Sequence, residues 1–202
     1  MNAHNFEQSR RYALQRLERE LSPNLLYHGI AHTRDDVVPA VETLAHMEGI
    51  TGEALLLLLT AAWFHDLGFI EQATHHELIS ARYAVEVLPG FGYTAEQIEI
   101  IHWIIYATIL PQDPTTILET IMADADLDVL GRDDFMRSEG NLRHELALAG
   151  KEYSDAEWYN GQIKFLEGHS YFTRSAHTLR DTGQKKNIAK LKLLLEGLDR
   201  GK

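Results

Sequence analysis

Ala54-Leu55-Leu56-Leu57-Leu58-Leu59-Thr60-Ala61-Ala62-Trp63-Phe64 runs directly into His65-Asp66, and this stretch decides the fold. Its residues are helix formers with no turn signal among them, so it reads as an apolar helix. Two ionisable side chains at the end of such a helix cost several kcal/mol to desolvate unless something pairs with them. A divalent cation is the most economical partner, because imidazole nitrogen and carboxylate oxygen both ligate metals directly.

Outward from this helix, helical period dominates. Residues 6–21 carry Tyr12, Leu14, Leu17 and Leu21 amid charge and stop at Ser22-Pro23-Asn24. A second helix is expected over 29–47, with Val37, Val38, Val41, Leu44 and Ala45 on its apolar side, and Thr51 is placed to cap the leucine-rich helix. The next spans 77–88, closed by Pro89-Gly90. Thr94-Ala95-Glu96-Gln97 has the capping-box pattern and opens a helix through 109. Asp113-Pro114 reads as N-cap and first-turn proline of a helix reaching 130. A second capping box, Ser154-Asp155-Ala156-Glu157, opens a helix to 168, and another lies over 185–198. Neither an alternating strand run nor a repeat nor a long linker is evident. The expected fold is one all-α domain over 1–202, a helical bundle.

Composition narrows the chemistry. At 202 residues, 45% hydrophobic and 24% charged, the chain has the balance of a globular protein with a substantial core. A formal net charge of −11 argues against binding a nucleic-acid polymer or an anionic membrane. With no cysteine, any metal must be held by His, Asp, Glu, backbone or water. No basic-then-apolar leader opens the sequence, and the leucine run covers about half of a bilayer span, so a cytoplasmic location is expected.

Three separated segments carry ligand-type side chains: Tyr27-His28-Gly29-Ile30-Ala31-His32-Thr33, then His65-Asp66, then Met122-Ala123-Asp124-Ala125-Asp126-Leu127-Asp128. A helical bundle builds a metal site in its core from such contributions. His28 and His32 share a face if that segment is helical. Periodicity alone does not choose among Asp124, Asp126 and Asp128. A calcium loop is excluded, because Val129 stands where glycine is needed and Phe135 where glutamate is needed.

The ordered set His32, His65-Asp66, Asp126 resembles the H…HD…D signature of the HD-domain superfamily of metal-dependent phosphohydrolases. Tyr27-His28-x-x-x-His32 resembles a stretch of cyclic-nucleotide phosphodiesterases and several bacterial HD proteins. Phe64-His65-Asp66-Leu67-Gly68 resembles the family's HD turn, and Ala125-Asp126-Leu127 its late aspartate. The resemblance covers roughly 25–131, a motif-bearing core, and leaves 132–202 as a C-terminal helical extension.

The resemblance implies an HD/phosphodiesterase-like bundle with His32, His65, Asp66 and Asp126 as ligands of a divalent metal: Mn, Mg, Fe, Co, Ni or Zn. Asp66 would bridge if two ions bind, and His28 would protonate the leaving oxygen. The implied activity is hydrolysis of a small phosphoester, above all a nucleotide, by attack of metal-bound hydroxide. His76 and His102 are further positions for a second metal or for substrate. Two alternatives stand beside this one: an HD-fold di-iron oxygenase, and a non-catalytic nucleotide-binding HD module. Arg34, Arg82 and Arg132 are cations within reach of the motifs in sequence.

Overall fold

The structure, a computed structural model, describes residues 3–200; Met1, Asn2, Gly201 and Lys202, which the sequence reading includes in the domain, lie outside the described residues. Among the described residues there are nine α-helices and no strand, so the chain is all-α as its periodicity predicts. In order they are α1 (Ala3–Glu20), α2 (Val38–Met47), α3 (Gly52–Phe64), α4 (His76–Val87), α5 (Ala95–Tyr106), α6 (Ile117–Asp126), α7 (Phe135–Leu148), α8 (Asp155–Gly168) and α9 (Arg174–Arg200). Short 3-10 turns lie at Leu67–Ile70, Leu88–Phe91 and Asp128–Gly131, and a π-helical stretch at His32–Val37 leads into α2.

The helices gather into two compact units. The first takes the described residues through Pro23 together with His28–Asp126, and the second takes Asn24–Tyr27 with Leu127 onward. In the first, α3 is the central rod, packed by α1, α2, α5 and α6. Residues 57–64 are buried all the way round, which is why the leucine run shows no polar face. The stretch Gly52–Ile70 is long and apolar enough to cross a membrane by length and composition, but 72% of it is buried inside the fold. Tyr93 ties α1 to α3: its hydroxyl stands 2.8 Å from Ser9 Oγ and 2.9 Å from Thr60 Oγ1, all buried.

Local signals explain most boundaries. Both expected capping boxes are formed, at Thr94/Gln97 and Ser154/Glu157. Thr51 occupies the N-cap position of α3 but makes no side-chain cap bond. Pro39 lacks an N–H and crowds the carbonyl four residues earlier, so the turn before it widens; Val38 N–H bonds to Thr33 O, five residues back.

The helix expected over 29–47 forms, with His28 in a bend ahead of its first turn. Three expectations shift. The helix expected over 113–130 begins at Ile117, because Thr116 and Glu119 exchange the capping bonds, and it stops at Asp126. α7 is not among the expected helices; it runs through Gly140, where nothing lies within 4 Å of an added Cβ. α9 starts at Arg174 rather than 185. Gly183 is where α9 crosses the Asp128–Gly131 turn, and a Cβ there would stand 1.8 Å from Gly131 O.

Candidate metal centre

The cluster forms inside the first unit from three segments that the sequence separates. The π-helical stretch supplies His32, the C-terminal end of α3 supplies His65 and Asp66, and the last residue of α6 supplies Asp126. His32, His65 and Asp66 are 5%, 1% and 2% exposed, so these groups are removed from bulk water and need partners.

His65 shows how one tautomer is selected. Its Nδ1 lies 2.8 Å from the Ala62 carbonyl, one turn back on α3, and donates to it. Nε2 is thereby the ring nitrogen that faces the cluster, able to ligate once it carries no proton. That Nε2 is buried without a hydrogen-bond partner, and so is Asp66 Oδ2. The two lie 3.3 Å apart. Asp66 Oδ2 is 3.7 Å from His32 Nε2, and Asp126 Oδ1 is 3.2 Å from His32 Nε2 and 3.5 Å from His65 Nε2. Donors on one ion at about 2.0–2.2 Å in a tetrahedral array stand roughly 3.3–3.6 Å from each other. The four nitrogen–oxygen distances thus fall close to the spacing a single cation asks for. The His32, His65 and Asp66 group could hold a metal ion, and two orphaned buried polar atoms in a nitrogen–oxygen donor set are what such an ion would satisfy.

Electrostatics support the same grouping. Burial works against charge on each member, yet the Asp66 carboxylate, with Asp126 behind it, holds the His65 imidazole well above the usual histidine range. Against the same burial, His65, His76 and His32 hold Asp66 well below the usual carboxylate range. Asp126 is lowered likewise by His32 and His65.

His76 approaches Asp66 from its other side. Its Nε2 is 3.3 Å from Asp66 Oδ1, and its Nδ1 is 3.0 Å from the Ala73 carbonyl. Burial lowers its affinity for a proton, but Asp66 more than reverses this and its pKa is raised. Two local features place it. His75, just before α4, has φ 58° and ψ 32°, a left-handed conformation that costs a non-glycine residue about 1–2 kcal/mol. Gly68 lets the HD turn lie against the first turn of α4, since a Cβ there would stand 2.0 Å from His76 O.

His28 stands beside the cluster. Its ring stacks on Phe69 at 4.4 Å and 20°, 6.0 Å from the His32 ring and 6.1 Å from that of His76. Phe69, which sequence reasoning missed, also contacts the His76 ring at 3.9 Å; its position four residues after His65 was the one available signal. His102 is on α5 with its ring against Trp103 and Tyr106. Of the three aspartates, Asp124 is fully buried within α6 and Asp128 is held by Arg180 at 2.6 Å in the second unit. Each arginine already has a carboxylate: Arg34 pairs with Asp35, Arg82 with Glu71 and Arg132 with Asp134. No protein-family model, curated protein or solved structure matches the chain.

Proposed function

We propose that the protein is a metal-dependent phosphohydrolase of HD type that cleaves a small phosphoester, a nucleotide above all. The observation that carries this reading is the buried group of His32, His65 and Asp66, with Asp126 Oδ1 beside both imidazoles, the nitrogen–oxygen distances among the four side chains being 3.2–3.7 Å. Bound there, a divalent cation supplies Lewis acidity, lowering the pKa of a water and drawing charge from phosphoryl oxygens.

The chain's own residues do the remainder. Ala62 O keeps the His65 proton on Nδ1, so that Nε2 stays a donor of electrons. His76 steadies Asp66 through its second oxygen. His28, its ring plane fixed by Phe69, delivers a proton to the departing oxygen. Arg34, Arg82 and Arg132 pair with carboxylates, so among the groups near the motifs the histidines would be left to meet phosphate beside the cation. An oxygenase would draw on both His76 and His102; His76 faces Asp66, while the ring contacts of His102 are with Trp103 and Tyr106, which favours hydrolysis.

The test is turnover of p-nitrophenyl phosphate and its bis ester by the protein loaded in turn with each candidate metal. Asp66→Ala should keep the far-UV circular dichroism and lose at least about a hundredfold in kcat. Unchanged turnover in that variant overturns the reading.

A further inference from the structure

All four residues of the metal centre lie in the first unit, yet the second unit fixes the chain directly after one of them. Asp126 is the last residue of α6, and a tight turn at Asp128–Gly131 follows. A helix end leaves carbonyls without intrahelical donors, so its last residue is set by whatever holds the chain beyond it. Here three side chains do so. The Tyr171 hydroxyl donates to Leu127 O at 3.3 Å. Arg180 donates from Nε and Nη2 to the two oxygens of buried Asp128, at 2.6 and 3.0 Å. Asn187, also buried, donates twice through Nδ2, to Leu130 O and Arg132 O, each at 2.9 Å. Gly183 brings the α9 backbone against Gly131 and leaves no room for a Cβ. These groups all come from the stretch that the sequence motifs leave without a role.

We infer, resting on the metal centre proposed above, that Arg180 and Asn187 are positioning residues for it. By fixing Leu127–Arg132 they fix the end of α6, and with it the Asp126 carboxylate whose Oδ1 stands beside the His32 and His65 imidazoles. Asp126 is the member that needs such support. Its side chain is 18% exposed, where those of His32, His65 and Asp66 are 5%, 1% and 3%. Packing around the side chain therefore restrains it least, and its backbone must do more. The partners suit the task. A guanidinium that meets a carboxylate at two points sets an orientation, which a lysine's point charge does not. Asn187 ties two carbonyls of the turn to one amide nitrogen, so opening the turn breaks both bonds.

The same helix supplies a matched control. Gln184 is likewise a buried carboxamide of α9 that donates twice, to Leu166 O and His169 O at 2.8 and 3.0 Å, but those carbonyls lie at the end of α8. Cobalt(II) is the probe, because its visible absorption reports the geometry of its ligands; affinity is read by competition with a chelator, without urea. Asn187→Leu and Arg180→Met should each bind cobalt about tenfold more weakly, with an altered spectrum. Arg180→Lys, which keeps the charge and loses the fork, should fall between. Gln184→Leu should lose as much stability to urea as Asn187→Leu, yet keep the wild-type affinity and spectrum. Should Arg180→Met fail to fold around the bare Asp128, Asn187→Leu, a neutral replacement, carries the test. Hydrogen exchange of the metal-free chains reads the same coupling: peptides over 119–127 should exchange faster in Asn187→Leu and as wild type in Gln184→Leu. Wild-type cobalt affinity and spectrum in Asn187→Leu overturn the proposal, as does an equal change in Gln184→Leu. A wild type that takes up no cobalt defeats the metal centre instead. The exchange comparison then decides the clamp on Asp126 by itself, and equal exchange in the two variants overturns it.

Discussion

Asp66 and His76 face each other across 3.3 Å, Oδ1 to Nε2, while Oδ2 of the same carboxylate looks towards His65 and His32. One side chain therefore serves two sets of imidazoles, and His76 governs how Asp66 presents its second oxygen. An outer partner of a ligating carboxylate is worth about 10–100-fold in metal affinity. His76→Phe should weaken metal binding by that factor, measured by competition with a chromophoric chelator. A stoichiometry of one ion per chain in wild type and variant fits His76 as support. A fall from two ions to one makes it a ligand.

Metal affinity should rise with pH through the neutral range. Asp66 and Asp126 hold the His65 imidazole well above its ordinary value, so at neutral pH the ring carries a proton that must leave before Nε2 can ligate. Calorimetry in buffers of different ionisation enthalpy should show proton release on binding. Loading at a hundred times Kd contributes about 2.7 kcal/mol, which for a chain of this length raises Tm by roughly 5–11 °C. A chelator should return Tm to the apo value. Binding without proton release would remove the assignment of His65.

Gly68→Ala should act on stability and metal affinity together. The added Cβ would overlap the His76 carbonyl at 2.0 Å, and the rigid backbone of α4 must move. Overpacking of this kind costs about 1–3 kcal/mol. Gly161→Ala is the control, since nothing lies within 4 Å of its Cβ. In mid-helix it should stabilise by about 0.5–1 kcal/mol. Urea unfolding with metal titration separates the two effects.

The second unit should weaken in mild acid. Burial, and after it the neighbouring His177, push His169 below the usual histidine value, and its Nε2 is buried without a partner. The neutral ring is the form the fold favours. Its contribution is therefore complete above about pH 6.5, and it is lost as pH falls towards and through the lowered value. The urea midpoint should drop between neutral pH and about 5.5, and His169→Phe should flatten that slope. An identical slope in the variant places the acid sensitivity elsewhere, with the His177–Asp181 pair at 3.0 Å as the next group to replace.

Much of this was legible in the residues. The leucine run named the central helix because burial on every side leaves no polar face to interrupt it. His32, His65 and Asp66 stood out because such residue types are rare on apolar helices, while only the resemblance to the family's late aspartate picked out Asp126. What stayed hidden is of two kinds. α7 and the first turns of α9 were not expected, and only the structure shows α7 running through Gly140 and α9 crossing another backbone at Gly183. The ring of Phe69 against His28 and His76, and the carbonyls of Ala62 and Ala73, act through orientation, which residue type does not encode. Periodicity could not choose between Asp126 and Asp124, since apolar neighbours flank both; in the structure Asp126 Oδ1 stands beside the two imidazoles.

The widened turn between His32 and Val37 works as a phase shifter. Each i→i+5 bond advances the chain less around its axis than an ordinary helical step does, so polar His32 and the valines beyond it need not obey a single angular rhythm. Removing any one residue from 33–37 would swing everything upstream by roughly 100° against the later apolar stripe. Segment length here is as constrained as residue identity, although no individual side chain in it announces the fact.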